Sequence, residues 1–196
     1  MEKKQQNQDF IIRKAREEEL PEILQIYETA RAFMRQTGNE TQWGSNYPPE
    51  QLVREDLEKG QLYAAEQSGI LQGVFMFAIG ADPTYAHIEE ESWSSQEPYG
   101  VIHRVASAGK SHGLIPAALK YCREKTAHLR IDTHENNHVM QHVLEKNGFR
   151  KCGIIYTEDG SPRIAFEFIS VEKTPTSISG ELITNLSQWE SNLRLR

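Results

Sequence analysis

The stretch Val101-Ile102-His103-Arg104-Val105-Ala106, followed after a short gap by Lys110-Ser111-His112-Gly113-Leu114-Ile115, decides the fold of this chain. The first six residues read as an apolar strand. Ile115, Ala118, Leu119 and Cys122 then recur at i, i+3, i+4, i+7 spacing, the buried face of a helix. Between strand and helix lies a basic, glycine-punctuated turn. The first N–H groups of a helix have no intrahelical partner and sit at the positive end of its macrodipole, so such a turn suits a phosphate or pyrophosphate. Backbone direction matters more there than side chains do.

Working outward, Ile131-Asp132-Thr133 reads as the next strand, and Asn137 opens a helix that ends at Gly148-Phe149. Toward the N-terminus, Phe10 to Lys14 forms a first strand. An acidic, Pro21-containing helix start covers Arg16 to Glu22, and Ile23, Tyr27, Ala30 and Met34 carry that helix to a stop at Gly38-Asn39. Pro48-Pro49 starts a shorter helix over Gln51 to Glu58. Strands Leu62 to Gln67 and Ile70 to Ile79 follow, joined by Ser68-Gly69 as a hairpin. The segment from Gly80 to Pro98 has no clear period; it is acidic at Glu89-Glu90-Glu91 and aromatic at Tyr85 and Trp93, with Tyr99 just beyond. Loops this long in compact domains are usually functional or mobile. Ile154-Ile155-Tyr156 and Arg163 to Ile169 close the domain as a hairpin turning at Asp159-Gly160.

The Lys110 to Ile115 loop resembles the pyrophosphate-binding motif of GCN5-related N-acetyltransferases (GNAT), written [Q/R]-x-x-G-x-[G/A], with Lys110 first and Gly113 fourth. The sixth position departs from it and holds Ile115. Asn137 to Gly148-Phe149 resembles the family's Asn-initiated helix, and the order of the elements matches. The resemblance implies an α/β (α+β) fold: a mixed, mostly antiparallel central sheet flanked by helices, with strands four and five splayed for acetyl-CoA. It implies an acetyl-CoA-dependent N-acetyltransferase that moves an acetyl group directly to a primary amine of a small molecule or peptide. The pantetheine arm would pair with the backbone of Val105 and Ala106, as a peptide adds to a sheet edge. Lys110, Ser111, His112, Gly113, Leu114 and Ile115 would cradle the pyrophosphate, and Asn137 would steady the arm.

An alkyl ammonium has a pKa of roughly 10, so near neutral pH a base must remove a proton before the nitrogen attacks. His103 is the first candidate on the residues, because an imidazole titrates near pH 6.5; a strand histidine that is only structural is the competing reading. Glu135 and His134, at the mouth of the fifth strand, are water-mediated alternatives. The family's tyrosine four residues before the Gly-Phe pair falls on Leu144. Either Tyr156 or a water supplies the leaving group's proton, the thiolate leaves unassisted, or the chain binds CoA without turnover. Trp43 and Tyr47 stand in the acceptor-facing segment, where an aromatic cluster near carboxylates holds a cation. Trp43 as a core plug is the alternative.

His134-Glu135-Asn136-Asn137-His138 formally satisfies H-E-x-x-H, the zinc and general-base signature of metallopeptidases. That chemistry needs both histidines one turn apart on an established helix. Asn136-Asn137 favours a cap, placing His134 before the helix and His138 in its first turn. A zinc hydrolase is therefore a remote alternative, and no metal is implied.

The chain has 196 residues, 38% hydrophobic and 26% charged, which suits one soluble domain with a sizeable core. Its net charge of −6 argues against nucleic acid as a partner and favours a cationic amine. The polar N-terminus lacks a signal peptide's apolar run, and no stretch reaches membrane-spanning length, so no membrane and a cytoplasmic location are expected. Cys122 and Cys152 are too few for a disulfide framework. Residues 1–9 read as a disordered tail and 10–170 as the acetyltransferase domain. Residues 171–196 read as an extension in which Leu182, Leu186, Trp189 and Leu193 form one helical stripe, docked on the domain or on a second copy as a homodimer.

Overall fold

A computed structural model describes residues 9–110 and 112–170. The expectations placed on residues 1–8, on Ser111 and on the 171–196 extension lie outside the described residues. Elements follow in the order β1 (Ile11–Lys14), a 3-10 turn (Glu17–Glu19), α1 (Leu20–Gln36), α2 (Glu50–Glu58), β2 (Leu62–Gln67) and β3 (Ile70–Ile79). A second 3-10 turn (Pro83–Tyr85) precedes β4 (Gly100–Ser107), α3 (Leu114–Arg123), β5 (His128–Thr133), α4 (His138–Lys146), β6 (Arg150–Tyr156) and β7 (Pro162–Ile169). One seven-stranded sheet runs β1-β2-β3-β4-β5-β7-β6. Every neighbouring pair is antiparallel except β4 and β5, which are parallel. This is the mixed, mostly antiparallel sheet read from the sequence.

Alternation along the strands sends side chains to two faces. On one face, Ala118, Leu119 and Cys122 of α3 and Leu144 of α4 pack on Phe75, Ile102, Leu129, Ile131 and Phe166. On the other, Leu20, Ile23, Tyr27 and Ala30 of α1 and Val53 of α2 pack on Leu62, Val74 and Ala106. The remainder of that second face is covered by the segment after β3. Tyr85 and Trp93 seat there against Val101, Cys152, Ile155 and Ala165.

The segment from Gly80 to Pro98, expected as a functional or mobile loop, is fastened at several points. Trp93 Nε1 donates to Tyr85 O at 3.0 Å, and Glu89 bridges Ile154 of β6. Arg130 of β5 lies between the rings of Trp93 and Tyr99, 4.0 and 3.9 Å from their centroids. Desolvated cation-π pairs of this kind are worth up to about 2 kcal/mol. Strand boundaries also exceed the sequence reading: β5 begins at His128 and β6 at Arg150, because buried polar residues such as His128 and Arg130 interrupt the apolar pattern without interrupting the ladder.

Two backbone features prepare the site. Gly73 of β3 lets α3 press on the sheet: a Cβ there would lie 2.5 Å from Ala106 O and 2.5 Å from Leu114 Cδ1. In β4, Arg104 adopts φ +51°, a left-handed conformation that disfavours a bulky side chain. The β3–β4 register slips there, with Val74 opposite Ala106 but Met76 opposite His103. The extra residue makes a β-bulge, a device that re-aims a strand.

Candidate active site

Pairing between β4 and β5 covers only Gly100↔Leu129, Val101↔Arg130 and Ile102↔Ile131. β4 continues to Ser107 and β5 to Thr133, so both strands run on without each other beyond that point. The bulge at Arg104 is where they part. A buried ion pair fixes it: Arg104 Nε and Nη2 donate to Asp56 Oδ2 and Oδ1 of α2, each at 2.8 Å, in a fork-to-fork pair. Tyr27 Oη donates to Arg104 O at 3.3 Å. Burial pushes the Asp56 carboxyl upward, and the Arg104 charge opposes it.

His103 borders the gap on the face shared with Tyr85. Its Nε2 lies 2.9 Å from Asp82 Oδ2 and its Nδ1 lies 3.5 Å from Asp132 Oδ1 of β5. Asp132 Oδ1 also accepts from Tyr85 Oη at 2.8 Å. Asp82 is a rigid partner, since its Oδ1 accepts from Thr84 N at 2.9 Å and from Thr84 Oγ1 at 2.5 Å. Burial raises the Asp82 carboxyl, but the bonds from His103 and Thr84 outweigh it and hold the group well below the usual range. Burial, then the Asp132 charge, pushes the Tyr85 phenol far up, so it stays protonated as the donor. Asp82, Asp132 and Tyr85 had no mark in the sequence as partners of His103, because they arrive from a loop and from a different strand.

The other candidates fall in different places. Glu135 is exposed beyond β5. Tyr156 stands on β6, two strands from β5, and its hydroxyl donates to Glu89 at 2.9 Å, away from His103. Glu91 pairs with Arg150 at 3.4 Å, so two of the three acidic loop residues are tied to β6. Leu144 is 0% exposed in the core. Trp43, 9% exposed, packs edge-on to Tyr27 at 5.9 Å as part of the core, while Tyr47 is 39% exposed with its hydroxyl 3.4 Å from Arg104 Nη1.

At the loop after β4, Ser107 Oγ accepts from Gly109 N at 3.1 Å, and Gly113 caps α3 with φ +94°. Lys110 and His112 are exposed beside it. Pro116 has no N–H, which leaves the donors of the helix start to the residues up to Ile115. Ile115, the departure from the motif, lies within the first turn and packs on the α3 core. A cavity of about 540 Å³ opens on the β1 side of α3, lined by Phe10, Ile12, His112, Pro116 and Tyr121 among others; it is not the gap between β4 and β5.

The H-E-N-N-H string does not form a helix. Asn137 is the N-cap of α4, accepting from Met140 N at 3.1 Å, and α4 begins at His138. His134 precedes it and accepts at Nδ1 from Asn136 N at 3.2 Å, which assigns the proton of the neutral ring to Nε2, 3.3 Å from Thr41 Oγ1. Burial, then the Arg163 charge, lowers its basicity. Asn137 Nδ2 and Asn39 Nδ2 both donate to Gln42 Oε1, at 2.9 and 2.7 Å, and Arg163 Nη2 donates to Gln42 O at 3.2 Å. The turn between α1 and α2 is thereby tied to the ends of β5 and β7. Among the described residues, no group of three or more His, Cys, Asp or Glu converges as metal ligands, and no helix is long and apolar enough to cross a membrane.

At the level of sequence, neither a protein-family model nor a curated protein matches the chain. Solved structures do match. An acetyltransferase of the GNAT family from Streptococcus agalactiae is 29% identical, with a TM-score of 0.76 over 83% of this chain and 96% of that one. The ribosomal-protein-alanine N-acetyltransferase from Brucella melitensis is 18% identical, with a TM-score of 0.55 over 82% and 99%. The NatC complex bound to Gag peptide and CoA contains a chain that is 15% identical, with a TM-score of 0.53 over 83% and 99%. The parting of β4 from β5, the capped loop before α3 and these neighbours together show that the chain has the fold of the GCN5-related N-acetyltransferases.

Proposed function

We propose that this chain transfers an acetyl group from acetyl-CoA directly to a primary amine of a small molecule or peptide. The observation that carries the reading is the divergence of β4 and β5 beyond Ile102 and Ile131, with His103 and Asp132 facing each other at 3.5 Å where it begins. Edges of β4 and β5 without a strand partner suit an extended amide-bearing arm, and the left-handed Gly113 before α3 suits an anion. One structural neighbour is a complex bound to CoA.

When bound, acetyl-CoA supplies the activated acetyl group. Val105 and Ala106 pair with its arm. Gly113, Leu114 and Ile115 offer backbone N–H groups to the pyrophosphate, with Lys110 and His112 alongside. Asn137 holds α4 and the Gln42 turn beside the arm. The N–H of Val105 donates to the thioester oxygen as negative charge gathers there. His103 Nδ1 takes the amine proton: Asp82 accepts from Nε2–H, which leaves the lone pair on the other nitrogen. Asp132 attracts the ammonium and stabilises the imidazolium that follows. Tyr47, exposed at the rim and bonded to Arg104, borders the acceptor side, and Trp43 supports it from the core.

Burial of Leu144 where the family places a tyrosine favours a second reading, CoA binding without turnover. Calorimetric titration with CoA and thiol release from acetyl-CoA against a panel of amines separate the two. Amine-dependent release establishes the transferase, binding without release the second reading, and absence of binding overturns both.

A further inference from the structure

We infer that the acceptor carries a carboxylate as well as its amine, and that Arg163 of β7 holds that carboxylate. This inference rests on the acetyl-transfer reading and narrows its substrate class. Of the two buried arginines among the described residues, Arg130 meets Glu167 at 3.6 Å. Arg163, 8% exposed, makes no ion pair among the described residues and donates only to neutral groups. Its Nη1 donates to Ser161 Oγ at 2.5 Å and to Pro162 O at 2.9 Å, and its Nη2 donates to Gln42 O at 3.2 Å. Nε of Arg123 and of Arg130 is sealed without a hydrogen bond, whereas Arg163 Nε is unbonded and not sealed. A guanidinium drawn largely out of water and met by neutral acceptors alone carries a cost that an incoming carboxylate offsets.

Position makes the acceptor the source of that carboxylate. Asp132 of β5 pairs with Ala165, so their side chains share one face of the sheet, and Arg163, two residues before Ala165, lies on that face too. Asp132 and Arg163 are thus diagonal neighbours, about 7–8 Å apart at the backbone. The same face carries His103, 3.5 Å from Asp132, and the two side chains keep 19% and 13% of their surface exposed. His134, just beyond the end of β5, also feels Arg163: burial, then that positive charge, lowers its basicity.

The charges sort an incoming zwitterion. Asp82 and Asp132 flank His103 and draw the ammonium whose proton the imidazole takes. Arg163 draws the negative end, since the charge of Arg104 is already met by Asp56 at 2.8 Å. One unbalanced positive charge suits a monoanion, and a phosphate dianion would be repelled by Asp82 and Asp132. A carboxylate accepts directed N–H bonds from a guanidinium edge, and Arg163 Nε–H is available to give one. An amine without the carboxylate leaves Arg163 uncompensated, which is how a polar site rejects an analogue that lacks the matching group.

The test uses the full chain, acetyl-CoA and a panel of carboxylate-bearing amines: the α-amino acids, β-alanine and γ-aminobutyrate, each beside its carboxamide. In wild type, kcat/KM from thiol release is expected to be at least about tenfold higher for the preferred acid than for its amide, as for a hydrogen bond to a charged group. Arg163→Gln should raise KM for the acid at least about tenfold and bring the acid-to-amide ratio near one, while Arg163→Lys keeps part of the preference. A readout that needs no turnover is the proton–nitrogen NMR signal of Arg163 Nε–H in the CoA-bound protein, assigned by its loss in both variants. It should shift saturably with the acid and not with the amide. Amides acetylated as well as their acids, a ratio unchanged in Arg163→Gln, or an Nε–H signal that no acid of the panel moves overturns the inference and leaves acetyl transfer standing. Failure of wild type to bind CoA in calorimetry overturns the acetyl-transfer reading itself.

Discussion

His103 Nε2 and Asp82 Oδ2 lie 2.9 Å apart, joining the strand that borders the gap to the turn that follows β3. Asp82 is itself anchored, through Thr84 on its side chain and through its N–H to Tyr99 Oη at 3.1 Å. The imidazole is therefore oriented by a carboxylate that has little freedom to move. His103→Asn is expected to lower kcat by roughly 10²- to 10⁴-fold, the usual worth of a general base. Asp82→Asn should lose less, about 10- to 100-fold, because the base survives in a mixed orientation. CoA affinity should be unchanged in both. Retention of full turnover by His103→Asn would remove it from the mechanism.

The Arg104–Asp56 pair makes a prediction about stability. Removing one member of a buried ion pair strands the other charge, at a cost of about 3–5 kcal/mol. Asp56→Asn should shift the urea midpoint accordingly, with an unchanged slope. Replacing both residues with apolar ones should recover much of the loss in stability, while the bulge, no longer clamped to α2, binds acetyl-CoA less tightly. An Asp56→Asn protein as stable as wild type would mean that the pair is not closed in solution.

The strands and helices, their order along the chain and the loop before α3 were legible because they rest on local signals, alternating apolar residues, helical spacing and glycines where φ turns positive; the mixed sheet was implied by the family resemblance. The cap at Asn137 was legible from its residue type. Long-range pairings were not. Asp56 meets Arg104 across 48 positions of sequence and Asp132 meets Tyr85 across 47, and no periodicity reports either. The left-handed Arg104 was hidden for a related reason, since an arginine inside an apolar run gives no sign of positive φ. Tyr156 read well as an acid by type alone, but hairpin register carries it to the sheet edge and Glu89.

Gly73 is predicted to be indispensable by size. An added methyl would meet Leu114 and the carbonyl of Ala106 at 2.5 Å, and backbone cannot yield as a side-chain tip can. Gly73→Ala should cost about 1–3 kcal/mol, the range for overpacking. Because Leu114 is the first residue of α3, the displaced helix start should also weaken CoA binding severalfold. Chemical denaturation and CoA titration on the same preparation check both parts; full affinity at reduced stability would uncouple the loop from β3.

Cys122 and Cys152 are both free and buried. Burial pushes the Cys122 thiol up to about 12 and, with the Glu167 charge, the Cys152 thiol up to about 11. Thiolate is the reactive form, so neither should react with a disulfide reagent in the native protein near neutral pH. Two thiols should appear on denaturation. Thiol released in the transfer assay then comes from CoA alone, and rapid native labelling would show that the core opens.

Glu19 sets part of the acid limit of stability. Its carboxylate accepts from Arg13 Nη1 and Nη2 at 2.9 and 2.6 Å and from Arg16 N at 2.9 Å, fastening β1 to the start of α1. The Arg13 bonds, against burial, lower it from the usual 4.5 to about 2. A carboxyl depressed in the folded state contributes its stability fully above its unfolded pKa and loses it as pH falls through the folded one. The contribution is therefore complete above about 4.5 and disappears on the way down to about 2. Glu19→Gln should be less stable than wild type by about 1 kcal/mol at neutral pH, a figure reduced for the partial exposure of Arg13. The two stability curves should converge below about pH 2. Asp82 and Glu167 are also held low, so both proteins keep an acid limb and only the difference between them reports on Glu19. A difference that stays constant from pH 7 to the acid limit would show that Glu19 contributes shape and not charge.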